Sequence, residues 1–154
     1  MKQRIYVDTS IVGGYFDEEF REDTVRLFER LENNEIIFVV SELLELELLN
    51  APPQVRGLLL NYSADKFERI ELTQQAITLA DSYIKENVVG KTSITDCRHI
   101  ALATVNKVDV LASWNFKHIV NLDKIKGYNS VNLRSGYMMI EIRSPKDLIN
   151  YGND

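Results

Sequence analysis

The chain has 154 residues, 45% of them hydrophobic and 27% charged, with 18 basic and 23 acidic side chains for a net charge of −5. That is the balance of one globular domain with a real core, and only 3 Pro and 7 Gly exclude collagen-like and low-complexity chains. The longest apolar run, Ile36–Val40, is far below the about 20 residues that cross a bilayer, so no membrane association is expected. Met1–Arg4 has no apolar leader-like region, and the lone Cys97 forms no intrachain disulfide, which together fit a reducing cytoplasm.

In chain order, Ile5–Val7 reads as a strand ending at Asp8, and Thr9–Phe16 as a turn opening into a helical stretch. Residues 18–33 carry Phe20, Val25, Leu27, Phe28 and Leu31 among charges at helical spacing. Glu35–Val40 is an apolar, β-branched strand stopped by Ser41, followed by a leucine-rich helix over 42–50. Pro52-Pro53 breaks that helix, and Pro53 opens another near 54–62. Phe67–Leu72 alternates as a strand does, 74–89 is helical, Gly90 punctuates, and Ser93–Asn106 is a third long helix. Val108–Ala112 is a strand, further strands are expected at Val131–Leu133 and Met139–Ile142, and Pro145–Ile149 makes a final helical turn. Strands alternating with helices predict a parallel sheet covered on both faces, with ligands at the carboxyl ends of its strands.

The residues just past those strand ends carry the chemistry. Asp8 follows the first strand and serves either as a helix cap or as a metal ligand or nucleophile. The helix after the second strand holds Glu42, Glu45 and Glu47; on a helical wheel the first two flank its less hydrophobic side, while Glu47 falls within a leucine arc. An acid placed there must find a partner or serve a site. Ser93 and Asp96 resemble a capping box, yet Asp96 shares its face with Ile100 and Ala103, which holds it inward. His99 reads as an ordinary packed or surface histidine and Trp114 as a packing residue. Asn115, after the 108–112 strand, stands where a fourth acid would complete a cluster, and Lys117 and His118 beside it read as solvent-exposed side chains or as phosphate contacts. Three inward-biased acids and an amide can hold a hard divalent cation through oxygen, and magnesium suits so few protein ligands. Residues 1–90 are net acidic and 91–154 net basic, so the second half offers a basic rim to a polyanion.

Taken together, Val7-Asp8-Thr9-Ser10, Ser41 followed by Leu46-Glu47-Leu48, Asp96-Cys97-Arg98-His99-Ile100-Ala101-Leu102-Ala103 and Ser113-Trp114-Asn115-Phe116 resemble the PIN domain, and within it the VapC-like toxin ribonucleases. The resemblance spans nearly all of residues 3–120 and only weakly the segment 121–154. It implies a single domain over 1–154, an α/β/α sandwich of Rossmann-like kind with a central, mainly parallel sheet, and residues 121–154 packed on it. It also implies Mg2+- or Mn2+-dependent cleavage of RNA. Asp8, Glu47 and Asp96 match the recurring catalytic acids and metal ligands. Asn115 matches the fourth ligand position, where an aspartate is common, so that metal affinity is expected to fall without being lost. Thr9 and Ser10 are placed to orient the ligands, and basic residues of the second half, such as Arg98, Lys117 and Lys91, are candidates to guide RNA, none of them assigned individually. A cognate antitoxin and a homodimer through the leucine-rich helices are the implied partners.

The alternative within the same fold is a catalytically reduced module that binds RNA or protein, which Asn115 favours. A haloacid-dehalogenase-type phosphatase wants a second aspartate two residues after Asp8, where Ser10 stands. A dinucleotide-binding fold wants its glycine-rich turn directly after the first strand, and Gly13-Gly14 comes several residues late.

Overall fold

The computed structural model describes residues 2–149; residue 1 and residues 150–154 of the expected domain lie outside the described residues. Strands β1 (Gln3–Val7), β2 (Ile36–Ser41), β3 (Phe67–Ile70), β4 (Val110–Ala112) and β5 (Ile142–Arg143) pair in parallel in the order β3-β2-β1-β4-β5. Helices α1 (Thr9–Gly14), α2 (Arg21–Glu32), α3 (Glu42–Leu48), α4 (Pro53–Gly57), α5 (Gln74–Lys85), α6 (Ile94–Val105) and α7 (Leu122–Arg134) connect and cover them. Successive side chains of a strand point to opposite faces, and both faces here are apolar. Ile5 and Val7 pack with Ile11, Leu27 and Phe28 on one side. Tyr6 packs with Ala80, Tyr83, Ile100 and Tyr128 on the other. The expected three-layer sandwich with its parallel sheet is therefore the observed one.

The chain winds outward from β1 through β2 to β3, then returns to the far side of β1 for β4 and β5. The direction of winding reverses between β1 and β4, and this is the crevice where such sheets bind ligands. Val7 pairs with Ala112, so Asp8 and Ser113 leave the sheet side by side.

Several boundaries differ from the sequence reading, each for a local reason. Val131–Leu133 is not a strand but the end of α7, whose buried Tyr128, Asn129, Val131 and Asn132 keep helical spacing behind an Asn121 cap on Lys124 N. The expected Met139–Ile142 strand starts only at Ile142. Ile140 ahead of it has its N–H and C=O taken by the Asn129 side chain, at 2.8 and 3.1 Å, instead of by a neighbouring strand. The helix expected over 54–62 stops at Gly57 and tightens into a 3-10 turn over Leu58–Asn61. Ser93 does precede α6, but its side chain makes no capping hydrogen bond, so the capping-box reading fails there.

Candidate active site

Asp8 sits where β1 becomes α1. Its Oδ1 accepts from Ile11 N at 3.3 Å and from Ser10 Oγ at 2.6 Å, and its Oδ2 from Ser113 Oγ at 2.6 Å. The side chain thus caps α1, and at the same time presents a buried carboxylate at the switch point. Burial pushes its carboxyl above the usual range, against the charge of His99 and the hydrogen bonds of Ser10, Ser113 and Ile11. Ser10 also receives Trp114 N at 2.8 Å, and Ser113 Oγ receives Asn115 N at 3.0 Å. Two hydroxyls therefore lock the β1 and β4 exits together around one acid.

Asp96 lies in the first turn of α6 and is half-buried. Burial raises its carboxyl, and the nearby charge of Asp8 raises it further, while His118, His99 and the Asn115 side chain oppose the shift. Asp8 thus lies close enough for its charge to disfavour ionisation of Asp96, the effect of like charges at one strand mouth. Asn115 Oδ1 accepts from Lys117 N at 3.2 Å and His118 N at 3.0 Å. Backbone N–H groups can only donate, so the amide oxygen is fixed on that turn and the NH2 end is left for Asp96.

Glu47 comes from α3, which Ser41 caps by accepting from Leu44 N at 3.0 Å. Its Oε1 accepts from Thr9 Oγ1 at 2.7 Å and stands 2.5 Å from His99 Nε2. Burial pushes this carboxyl up, but the His99 hydrogen bond and charge together with Thr9 outweigh it, and the net is below the usual range. Of its two neighbours, Glu45 is exposed and paired with Arg69 at 2.9 Å, as the wheel implied, whereas Glu42 is half-buried like Glu47 and accepts from Leu72 N at 2.9 Å, where the wheel placed a solvated charge.

His99 is the functional candidate that the sequence reading passed over. It is buried, and besides Glu47 it meets the Tyr6 hydroxyl at 2.6 Å. The available signal was its place on α6, one turn after Asp96 on the face that packs against the sheet. Cys97 is core, its thiol pushed up to about 12 by burial and by the Asp96 and Asp81 charges. Trp114 is buried as expected, stacked on Phe20 with a ring separation of 4.3 Å and donating to Thr24 Oγ1 at 2.9 Å. Lys91 and Lys117 are exposed, and Arg98 is half-buried with its Nε unpartnered among the described residues.

Among the described residues no three His, Cys, Asp or Glu side chains gather closely enough to hold a metal as a ready-made cluster. The donor set still suits magnesium, which takes one or two carboxylates and keeps several waters. Were such an ion bound, Asp8 and Asp96 would be its carboxylate donors, and Glu47 would have Oε2 to offer, the oxygen left over once Oε1 is engaged.

Comparison of the sequence with protein-family models and with curated proteins finds no match. Among solved structures, the fold superposes on VapC20 of Mycobacterium tuberculosis, described as a sarcin–ricin loop cleaving toxin, with a TM-score of 0.56 at 13% identity, covering 88% of this chain and 98% of that one. It superposes on VapBC2 of Rickettsia felis, bound to a DNA fragment from their promoter, with a TM-score of 0.55 at 12% identity, covering 92% and 98%. A toxin–antitoxin complex from Klebsiella pneumoniae gives 0.53 at 18% identity, covering 73% and 88%. The chain has a VapC-like PIN fold. In that fold Asp8 and Asn115 follow β1 and β4, Glu47 lies in α3 after β2, and Asp96 lies in the first turn of α6 ahead of β4, all toward the carboxyl ends of the strands.

Proposed function

We propose that this PIN-fold chain is a metal-dependent endoribonuclease and the toxin of a toxin–antitoxin pair. The observation that carries the reading is the meeting of two carboxylates at the switch point: buried Asp8, held by Ser10 and Ser113, and half-buried Asp96, which the charge of Asp8 reaches. Asp8 and Asp96 would hold a Mg2+ or Mn2+ ion, which when bound would supply Lewis-acid charge at a phosphodiester. Ser10 and Ser113 hold Asp8 in place for it. Glu47 Oε2 orients the attacking water and accepts its proton. The water oxygen bonds to phosphorus as the bridging P–O bond breaks, and the leaving sugar oxygen takes up a proton from solvent. The basic second half of the chain draws the polyanion toward the strand ends.

A partner surface supports the toxin–antitoxin reading. An apolar groove of about 830 Å³ runs between Leu48, Leu49, Leu60 and Phe67, with Arg56 and Glu45 at its margin. Leu46, Leu49 and Leu60 are exposed beside it, which suits an antitoxin segment or a second copy of the chain. The likeness to toxin–antitoxin complexes points the same way. No helix among the described residues is long and apolar enough to cross a membrane.

A second reading, a non-catalytic binding module, is favoured by one observation: the Asn115 oxygen is already spent on backbone N–H groups. Cleavage of RNA by the purified chain with Mn2+ or Mg2+, beside EDTA and Asp96→Asn, separates the two. Cleavage that needs both metal and Asp96 is the expected result. Activity that survives Asp96→Asn, or no metal binding by the wild type, refutes the nuclease reading.

A further inference from the structure

His99 is 3% exposed, and both of its ring nitrogens are engaged. Nε2 lies 2.5 Å from Glu47 Oε1, and a carboxylate can only accept, so Nε2 carries a proton. Nδ1 lies 2.6 Å from the Tyr6 hydroxyl, which lies 2.9 Å from Ser41 Oγ, the cap of α3. Tyr6 has one proton for two neighbours. Given to Nδ1 it leaves His99 neutral, and given to Ser41 it leaves an imidazolium; both arrangements keep Nε2–H on Glu47.

The members of this chain of contacts are placed on the acid-bearing elements. Tyr6 is on β1 two residues before Asp8, His99 is on α6 three residues after Asp96, and Ser41 caps the helix that carries Glu47. Thr9, next to Asp8, closes the circuit on the same Glu47 oxygen at 2.7 Å. His99 is not needed merely to satisfy the buried Tyr6 hydroxyl. Ser41 already does that, and an aliphatic side chain would fill the α6 position without burying two ring nitrogens. Nor is His99 itself a free ligand, since neither nitrogen has a lone pair or proton to spare.

We infer that His99 is the positioning residue of this site: it fixes Glu47 Oε1 and, through Tyr6 and Ser41, fastens α3 to the strand that delivers Asp8 and the helix that delivers Asp96. Glu47 then meets water or metal with Oε2 alone. The inference rests on the nuclease reading for its consequence, but its geometry can be read without activity.

The test uses the full chain labelled with 15N-histidine, with His99→Leu, His99→Gln, Glu47→Gln and Glu47→Ala variants. NMR should show a His99 Nε2 proton slow to exchange in the wild type and exchanging faster in Glu47→Ala. Loss of such an outer partner costs about 10–100-fold, so His99→Leu should lower Mn2+ affinity and kcat on a labelled sarcin–ricin hairpin or total RNA by about that factor, with KM within about 3-fold. His99→Gln keeps a donor near Nε2 and should restore most of the loss. Added to Glu47→Gln, His99→Leu should cost little more. An unprotonated Nε2, exchange indifferent to Glu47→Ala, a folded His99→Leu with wild-type Mn2+ affinity and kcat, or full additivity in the double variant overturns the inference. If His99→Leu does not melt cooperatively, His99→Gln and the NMR decide. If the wild type neither binds Mn2+ nor cleaves RNA, the nuclease reading fails, and the exchange of the Nε2 proton still decides the pair.

Discussion

Gly13 and Gly14 are adjacent in α1, yet an alanine should act oppositely at the two positions. A Cβ on Gly14 would lie 2.7 Å from both Cδ1 and Nε1 of Trp114 and 3.0 Å from Thr24 Oγ1. Carbon contacts prefer about 3.5–4.0 Å, so the indole must retreat by most of an ångström. It is poorly placed to do so, being stacked on Phe20 and bonded to Thr24. Overpacking of this kind costs about 1–3 kcal/mol. At about 2–4 °C per kcal/mol for a chain of this size, the melting temperature should drop by about 2–12 °C. A Cβ on Gly13 meets nothing within 4 Å. Gly13→Ala should therefore be neutral or stabilise by up to about 1 kcal/mol, because alanine restricts the unfolded chain. Thermal melts of the two variants beside the wild type are the assay. Trp114 lies between Ser113 and Asn115, so Gly14→Ala should also weaken metal binding. Equal melting temperatures for the two variants, or a larger loss from Gly13→Ala, would refute the packing argument.

Asp96 is raised by burial and by Asp8, so the folded chain binds more protons than the unfolded one between the ordinary aspartate range and the raised value. Its contribution to stability therefore falls as pH rises through that window, and metal-free Asp96→Asn should melt above the wild type near neutral pH, with the gap closing toward about pH 4; a melt below the wild type at all pH values refutes this. Asn115→Asp adds a second charge beside Asp96, which should tighten Mn2+ binding while lowering the stability of the metal-free protein, as read by calorimetric titration and melting. Ser113→Ala removes the donor to Asp8 Oδ2 and the acceptor for Asn115 N; Mn2+ affinity should fall by about tenfold or more, and an unchanged affinity would show that the hydroxyl does not hold Asp8. Arg4 grips Glu68 through Nε at 2.9 Å and Nη2 at 2.5 Å, and the carbonyls of Asn106 and Lys107 at 3.1 and 3.0 Å. Arg4→Ala should destabilise by about 1–2 kcal/mol in denaturant melts without altering metal binding, because these contacts lie at the opposite end of the sheet.

The sequence by itself determined the alternation of strands and helices, the acids past the strand ends, and the inward placement of Glu47. These are local: strands announce themselves by β-branched runs, helices by spacing, and an acid within a leucine arc must have a partner. Val131–Leu133 was read as a strand because three residues are too few to separate the two periods, and the Asn121 cap that settles it lies ten positions upstream. Ile140 was read as strand because the Asn129 side chain that takes its backbone bonds cannot be foreseen from its neighbours. Only the tertiary structure decided which oxygens remain free. Asn115 spends its oxygen on its own turn, Glu47 gives Oε1 to Thr9 and His99, and Asp8 is held by hydroxyls from two strand exits. Hydrogen-bond partners distant in sequence are chosen by the register of β1 against β4 and the docking of α3 and α6. That register is set by burial summed over both faces of the sheet, which no short window of residues contains.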